Sequence, residues 1–262
     1  MNSPRPRPRA HTALFPIVLA LLAASAPAAP ATAFKFQFGA ATAAPGYTLV
    51  APTALYSKDS GFGFEPGATV TAVTQTAGDA LHRGAVTSTG LFSFSVKVPE
   101  GNYRVTVTLG DPTAASTVTV KAEARRLMLE HLHTDAGQFA TRTFTVNIRS
   151  PRISTGGEVI LDSREMNLET HEAISRGWDD KLTVSFSDTH PALAALEITK
   201  VEDAVTVFIL GDSTVTDQGG GGGSWGQMAT RWFKPEVAIA NHAESGETLK
   251  GFLKERRWEK VL

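Results

Sequence analysis

Ser213 stands in the run Gly211-Asp212-Ser213-Thr214, directly after the apolar stretch Val205 to Leu210. A serine on a tight turn closing a strand exposes its hydroxyl, and the amides of that turn can donate to an oxyanion, so the arrangement suits nucleophilic acyl transfer. Gly211 permits the turn. The competing reading is an ordinary polar turn at a strand end. A second polar turn, Asn241-His242-Ala243-Glu244-Ser245-Gly246-Glu247-Thr248, follows another apolar run, Val237 to Ala240. In an open parallel sheet, the carboxyl ends of neighbouring strands share one rim, so both turns are expected to face one crevice.

Other residues offer weaker chemistry. His131 and His133 sit two apart on one strand face, a spacing that can bind metal, but with no third ligand in view they read as exposed strand histidines. Asp179 and Asp180 suit a calcium site less well than a paired-acid turn capping a strand. The glycine run Gly219 to Gly223 lacks the Gly-Lys-Ser/Thr ending of a phosphate loop. It reads as a mobile loop. His242, the sole histidine after Ser213, reads as a turn or interface residue rather than a general base. Trp178 and Trp225 can stack on sugar rings or pack in a core; Trp225 is the one beside the proposed crevice. With no cysteine in the chain, thiol nucleophiles, thiolate metal sites and disulfides are excluded.

Two kinds of strand pattern must position these residues. From Phe34 to about Lys200 the pattern has period two: Phe92, Phe94, Val96 and Val98 alternate with Ser93, Ser95 and Lys97, then Tyr103, Val105, Val107 and Leu109 with Arg104, Thr106 and Thr108. Pro99-Glu100-Gly101-Asn102 between them predicts an antiparallel hairpin. Further strands are expected at Val118 to Ala124, Phe144 to Ile148 and Leu182 to Phe186, which together predict an all-β sandwich of jelly-roll type over 34–200. After Lys200 the uninterrupted run Val205 to Leu210 predicts a strand buried on both faces of a parallel sheet. A helix over Ser224 to Phe233 with Ser224 as N-cap, a strand at Val237 to Ala240, and a last helix over Leu249 to Val261 complete a βαβ start across 201–262. So small an α/β layer buries too little to stand alone, and the chain is expected to stop short of a finished domain.

Charge and termini bound the partners. Twenty-five basic and 26 acidic side chains give a formal net charge of -1, which supplies no broad field for nucleic acid or anionic lipid. Arg5, Arg7 and Arg9, the apolar stretch Ala13 to Ala24 and the small-x-small site Ala31-Thr32-Ala33 predict a signal peptide over 1–33 and a secreted or periplasmic product with no membrane anchor once it is cleaved. The apolar stretch falls short of the roughly 20 residues that span a bilayer.

The two turns, with Gly211-Asp212-Ser213-Thr214-Val215-Thr216-Asp217, Ser224-Trp225-Gly226-Gln227 and Asn241 to Gly246, resemble the GDSL/SGNH hydrolases, rhamnogalacturonan acetylesterases in particular. Tyr56 to Gly67, Arg125-Arg126-Leu127, Phe144 to Arg149 and Gly177-Trp178-Asp179-Asp180-Lys181-Leu182 resemble the galactose-binding-like sandwich that precedes the esterase domain in bacterial pectin-deacetylating enzymes. The resemblance implies a partial three-layer α/β/α, flavodoxin-like domain after the sandwich. It implies Ser213 as nucleophile, the amides of Ser213 and Gly246 as oxyanion donors, and Asp212, Thr214, Trp225 and Asn241 at the substrate. The implied substrate is an acetylated plant polysaccharide, deacetylated with no metal or cofactor. Two blocks of that family, Gly-x-Asn-Asp and Asp-x-x-His, do not follow Gly246, so the 262 residues are expected to lack the general base and to be inactive by themselves. The alternatives are a non-catalytic carbohydrate-binding module and a lipase-type esterase.

Overall fold

The structure, a computed structural model, describes residues 33–76, 78–162, 165–167, 172–173, 177–218 and 222–262. The expected leader, up to residue 32, and Gly219 to Gly221 of the glycine run lie outside the described residues.

Alternating strands build two facing sheets. One holds β1 (Ala33–Phe38), β2 (Thr48–Val50), β4 (Thr71–Thr74), β5 (Gly84–Thr87), β7 (Gly101–Leu109), β10 (Ala140–Ile148) and β14 (Ala192–Val201), in the order β10-β7-β14-β1-β2, with β5 paired to β14 and β4 to β5. The other holds β3 (Phe62–Phe64), β6 (Phe92–Lys97), β8 (Ser116–Ala122), β9 (Arg126–Thr134) and β13 (Lys181–Ser187), in the order β3-β6-β13-β8-β9. A short antiparallel pair, β11 (Met166–Asn167) and β12 (Glu172–Ala173), lies apart from them. The inward faces interlock around aromatic rings: Phe94 meets Phe36, Phe38 and Phe64 at centroid distances of 5.1, 5.2 and 5.2 Å, each near edge-on. Burying one such side chain contributes about 1.5–3 kcal/mol, and each favourable ring pair roughly 0.5–1.5 kcal/mol more.

The expected hairpin is not what forms. β6 pairs with β3 and β13, whereas β7 pairs with β10 and β14. The three residues from Val98 to Glu100 therefore carry the chain from one sheet to the other. The period-two pattern is identical in both cases, because facing strands of a sandwich also turn their apolar residues toward a common core. What selects β13 as the partner of β6 lies far along the chain: the Ser93 hydroxyl meets that of Ser185 at 2.7 Å, and Ser95 meets Thr183 at 2.8 Å.

Beyond the sandwich, β15 (Val205–Ile209) and β16 (Val237–Asn241) form a parallel two-stranded sheet. Between them lie α1 (Trp225–Ala229) and a 3₁₀ turn over Thr230–Trp232. The expected N-cap is present in modified form: the Gln227 side chain accepts from the Ser224 amide at 3.0 Å, while the Ser224 hydroxyl is donated to the Thr216 carbonyl. β15 is not buried on both faces. Among the described residues β16 is its one neighbour, and Val205 and Phe208 stay 62% and 43% exposed. An apolar, β-branched run reports strand preference, not the number of layers that will cover it. The last helix also divides, into α2 (Leu249–Lys254) and α3 (Arg257–Val261), because Arg256 adopts φ 63° and a left-handed residue ends the helical repeat.

Candidate active site

Ser213 sits past the carboxyl end of β15, on a turn that caps itself. The Asp212 carboxylate accepts from the Thr214 amide and hydroxyl, both at 2.9 Å. These bonds favour the ionised carboxylate and lower its pKa. Gly211 has no room for a side chain, since a Cβ there would stand 2.6 Å from Cγ2 of Val215. The Ser213 side chain is exposed, and among the described residues none hydrogen-bonds its hydroxyl.

The Asn241 to Gly246 turn lies alongside, as the rim argument requires. Backbone bonds run from the His242 amide to the Ile209 carbonyl at 2.9 Å and from the Glu244 amide to the Gly211 carbonyl at 3.1 Å. Thr216 donates its hydroxyl to the Ala243 carbonyl at 2.7 Å. Gln218 bridges the two turns, its amide donating to the Ser213 carbonyl at 2.7 Å and to the Ser245 hydroxyl at 3.3 Å. Gly246 is in the left-handed region, φ 80°, with open space where a side chain would be, so its backbone is accessible.

The four residues read at the substrate take distinct places. Asp212 and Thr214 are exposed on the Ser213 turn and bond to each other. Trp225 is 56% exposed and tied to the same turn through its amide, 3.2 Å from the Thr214 carbonyl. Asn241 is different: it is fully buried, and its side chain is used on the Val215 carbonyl, the Asp217 carboxylate and the Ala243 amide. Its geometry is that of a brace behind the turns rather than a substrate contact.

His242 is no base for Ser213. Its ring lies 5.6 Å from Trp178 and 5.5 Å from Phe208, at the junction with the sandwich, and is 2% exposed. Burial first, then the cations Arg149, Lys260, Arg126 and Arg257, hold its pKa well below the ordinary 6.5. Glu244 behaves in the opposite sense: burial, then the neighbouring Glu165 carboxylate with which it shares a hydrogen bond, pushes it up to about 7. A cavity of about 300 Å³ adjoins the Ser213 turn, with Leu210, Leu249, Phe252 and Trp258 among its walls and Asp212 and Glu247 as its charged groups.

Elsewhere the weaker sites resolve into ordinary contacts. His131 pairs with Asp188 at 2.5 Å and His133 with Asp135 at 3.4 Å, and among the described residues no group of three ligands could hold a metal. Asp179 accepts from the Lys181 amide at 3.1 Å, capping β13, and burial raises it to about 6. Trp178 is buried under the Arg149 guanidinium at 4.2 Å.

Gln218, Gln227 and Arg126, which hold the turns, carry no assigned role in the sequence reading, although the last two stand in its motifs. Only Gln227 left a local signal, the Ser-x-x-Gln spacing of a capping box.

Residues 34–154 match a protein family described as β-agarase/YXIM esterase-like, galactose-binding domain-like. The chain is 27% identical over 242 residues to the uncharacterised esterase YxiM of Bacillus subtilis, a match covering 87% of this chain and 55% of that protein. It is 28% identical over 197 residues to β-agarase A of Zobellia galactanivorans, covering 70% of this chain and 33% of the other. The chain thus spans about half the length of the first relative and a third of the second. Among solved structures, that of YxiM from B. subtilis superposes with a TM-score of 0.49 at 24% identity, covering 87% of this chain and 59% of that one. Residues 34–154 of the sandwich are thus similar to galactose-binding-like domains, and the chain is homologous to proteins named as an esterase and as a β-agarase.

Proposed function

We propose that this chain carries the nucleophile half of a serine carbohydrate-ester hydrolase that removes acetyl groups from pectin-type polysaccharides such as rhamnogalacturonan. One observation carries the reading: an exposed serine stands on a self-capped turn at one parallel strand tip, hydrogen-bonded to a second turn at the neighbouring tip that offers the open Gly246 backbone. In the reaction, Ser213 Oγ attacks the acetyl carbonyl and loses its proton, and the Ser213 and Gly246 amides donate to the oxyanion. The sugar hydroxyl leaves with a proton, and water then cleaves the acetyl-serine ester to acetate. A general base is required, and neither His242 nor any described side chain bonded to Ser213 supplies it. The SGNH-type α/β layer and the leader-directed route to the cell exterior belong to this proposal.

Acetate release from acetylated pectin and hydrolysis of an aryl acetate, each measured for the complete gene product and its Ser213→Ala form, test it. Loss of both activities in Ser213→Ala is expected. Equal rates would end the nucleophile assignment. Two other readings have support of their own. The apolar walls beside the turn favour longer acyl chains, which an aryl ester series from acetate to decanoate would show as a rate maximum above butyrate. The galactose-binding-like match favours pure sugar binding, which predicts pectin affinity with no acetate released by either form.

A further inference from the structure

We propose that Arg126, a residue of the sandwich, is a positioning residue for the esterase site: through Asp217 and Asn241 it fixes the spacing between the turns bearing Ser213 and Gly246. The inference rests on the serine-esterase reading above. Arg126 opens β9 and reaches out of the sandwich, donating Nη1 to the Asn147 carbonyl at the end of β10 at 2.8 Å and Nε to Asp217 Oδ2 at 2.7 Å. Asp217 Oδ1 accepts from Asn241 Nδ2 at 2.8 Å. The same Asn241 nitrogen reaches the Val215 carbonyl at 2.8 Å, and Asn241 Oδ1 accepts from the Ala243 amide at 3.2 Å. One unbroken chain therefore runs from two sandwich strands to both turns.

Burial makes this chain stiff. The Arg126 and Asp217 side chains are 2% and 3% exposed, so their attraction is little screened by solvent. The planar guanidinium fixes two directions at once, toward Asn147 and toward Asp217, which a flexible ammonium would not do. Oxyanion donors act only if they are already aimed when charge develops, and displacement of about 1 Å can cost on the order of 100-fold in rate. Nothing on the chain itself touches substrate, so its effect should fall on turnover rather than on binding.

The test compares Arg126→Gln and Arg126→Lys with Thr230→Val in the complete gene product. Thr230 donates its hydroxyl to the Leu127 carbonyl at 2.6 Å, another buried tie to β9 but one that does not reach the turns. Arg126→Gln is expected to lower kcat for an aryl acetate by about 10- to 100-fold with KM within twofold, to speed amide exchange in 211–218 and 241–246 but not in 225–230, and to be partly rescued by Arg126→Lys. Thr230→Val should leave kcat within twofold. Should Arg126→Gln fail to fold, Arg126→Lys carries the same kcat and exchange comparison. If Ser213→Ala abolishes hydrolysis while the Arg126 variants lower kcat no more than Thr230→Val, the positioning role alone falls. If Ser213→Ala, or an inactive wild type, shows that Ser213 catalyses nothing, the nucleophile reading falls and the positioning role with it.

Discussion

Removing the cation at the buried junction of the sandwich and the C-terminal segment should expose how that junction is held. Arg257 is 1% exposed and grips Glu165 with two bonds, Nη1 to Oε1 at 3.1 Å and Nη2 to Oε2 at 2.7 Å, while Glu165 Oε1 also accepts from the Trp178 indole at 2.8 Å. Arg257→Met keeps much of the apolar stem and leaves Glu165 as a buried carboxylate without its cation. Breaking one side of such a pair costs roughly 3–5 kcal/mol. The surviving Trp178 bond favours the lower end, about 3 kcal/mol at neutral pH, and the bond from Arg257 to the rim residue Glu255 adds little. The double variant Arg257→Met/Glu165→Gln removes both charges and retains an acceptor for Trp178, so it should recover to within about 1 kcal/mol of wild type. Urea unfolding followed by far-UV circular dichroism gives each value. The pH dependence should reverse as well. In the wild type the Arg257 bonds hold Glu165 below its ordinary 4.5 despite burial, so its contribution is present above that value and fades as pH falls. In Arg257→Met burial is opposed only by the weaker Trp178, Glu244 and Asp162 hydrogen bonds and raises the carboxyl, so stability is greatest in acid and declines as pH climbs. A single variant within 1 kcal/mol of wild type, or a double variant no better than the single, would refute the idea that charge compensation holds the junction.

Three further outcomes follow from individual contacts. Phe94→Ala empties the centre of the aromatic cluster formed with Phe36, Phe38 and Phe64 and should cost about 3–5 kcal/mol in urea unfolding; a loss below 1 kcal/mol would mean that the rings do not form the core. Glu244, raised from 4.5 to about 7, should contribute stability that is complete below pH 4.5 and disappears as pH rises through about 7. Glu244→Gln should therefore gain on wild type over that window, by roughly 1–2 kcal/mol once solvent screening of this partly exposed group is allowed for, and a pH-independent difference between the two would overturn the assignment. Gly226→Ala would ordinarily favour a helix, yet its Cβ would stand 2.0 Å from the Val215 carbonyl oxygen and 3.0 Å from Asn241 Nδ2. A loss of roughly 1–3 kcal/mol in thermal unfolding is expected, and a gain would show that the backbone there is free to move.

Much of this architecture was legible because strand patterns are local. Phe92 to Val98 and Tyr103 to Leu109 alternate visibly, and the structure makes strands of both. Their pairing was not legible, since it depends on Ser185 and Thr183, about ninety residues away, and on which face meets which across the core. The Ser213 turn announced itself through residue type and spacing. Its neighbour at Asn241 was also recognisable, but the buried position of the Asn241 side chain depends on Asp217 being turned inward by Arg126, a cation from another part of the chain. Nothing about Arg126 in sequence distinguishes it from the adjacent Arg125, whose guanidinium lies at the surface and reaches the Gly222 carbonyl. The backbone decides that difference: Arg125 stands in the turn before β9 at φ 69°, whereas Arg126 opens the strand and is buried against Asp217.

The polarity of that covered face has a physical consequence for how the two parts relate. A junction sealed by leucines would be stronger, because buried ion pairs recover little more than their own desolvation cost. What Arg126–Asp217 and Arg257–Glu165 supply instead is direction: each accepts one register and penalises every other with an unpaired buried charge. Small sliding motions that an apolar contact would tolerate are thereby excluded at the place where Asp217, Asn241 and Glu244 support the turns around Ser213. The geometry of the serine turn is therefore set by the fold of the sandwich as much as by the two parallel strands that carry it.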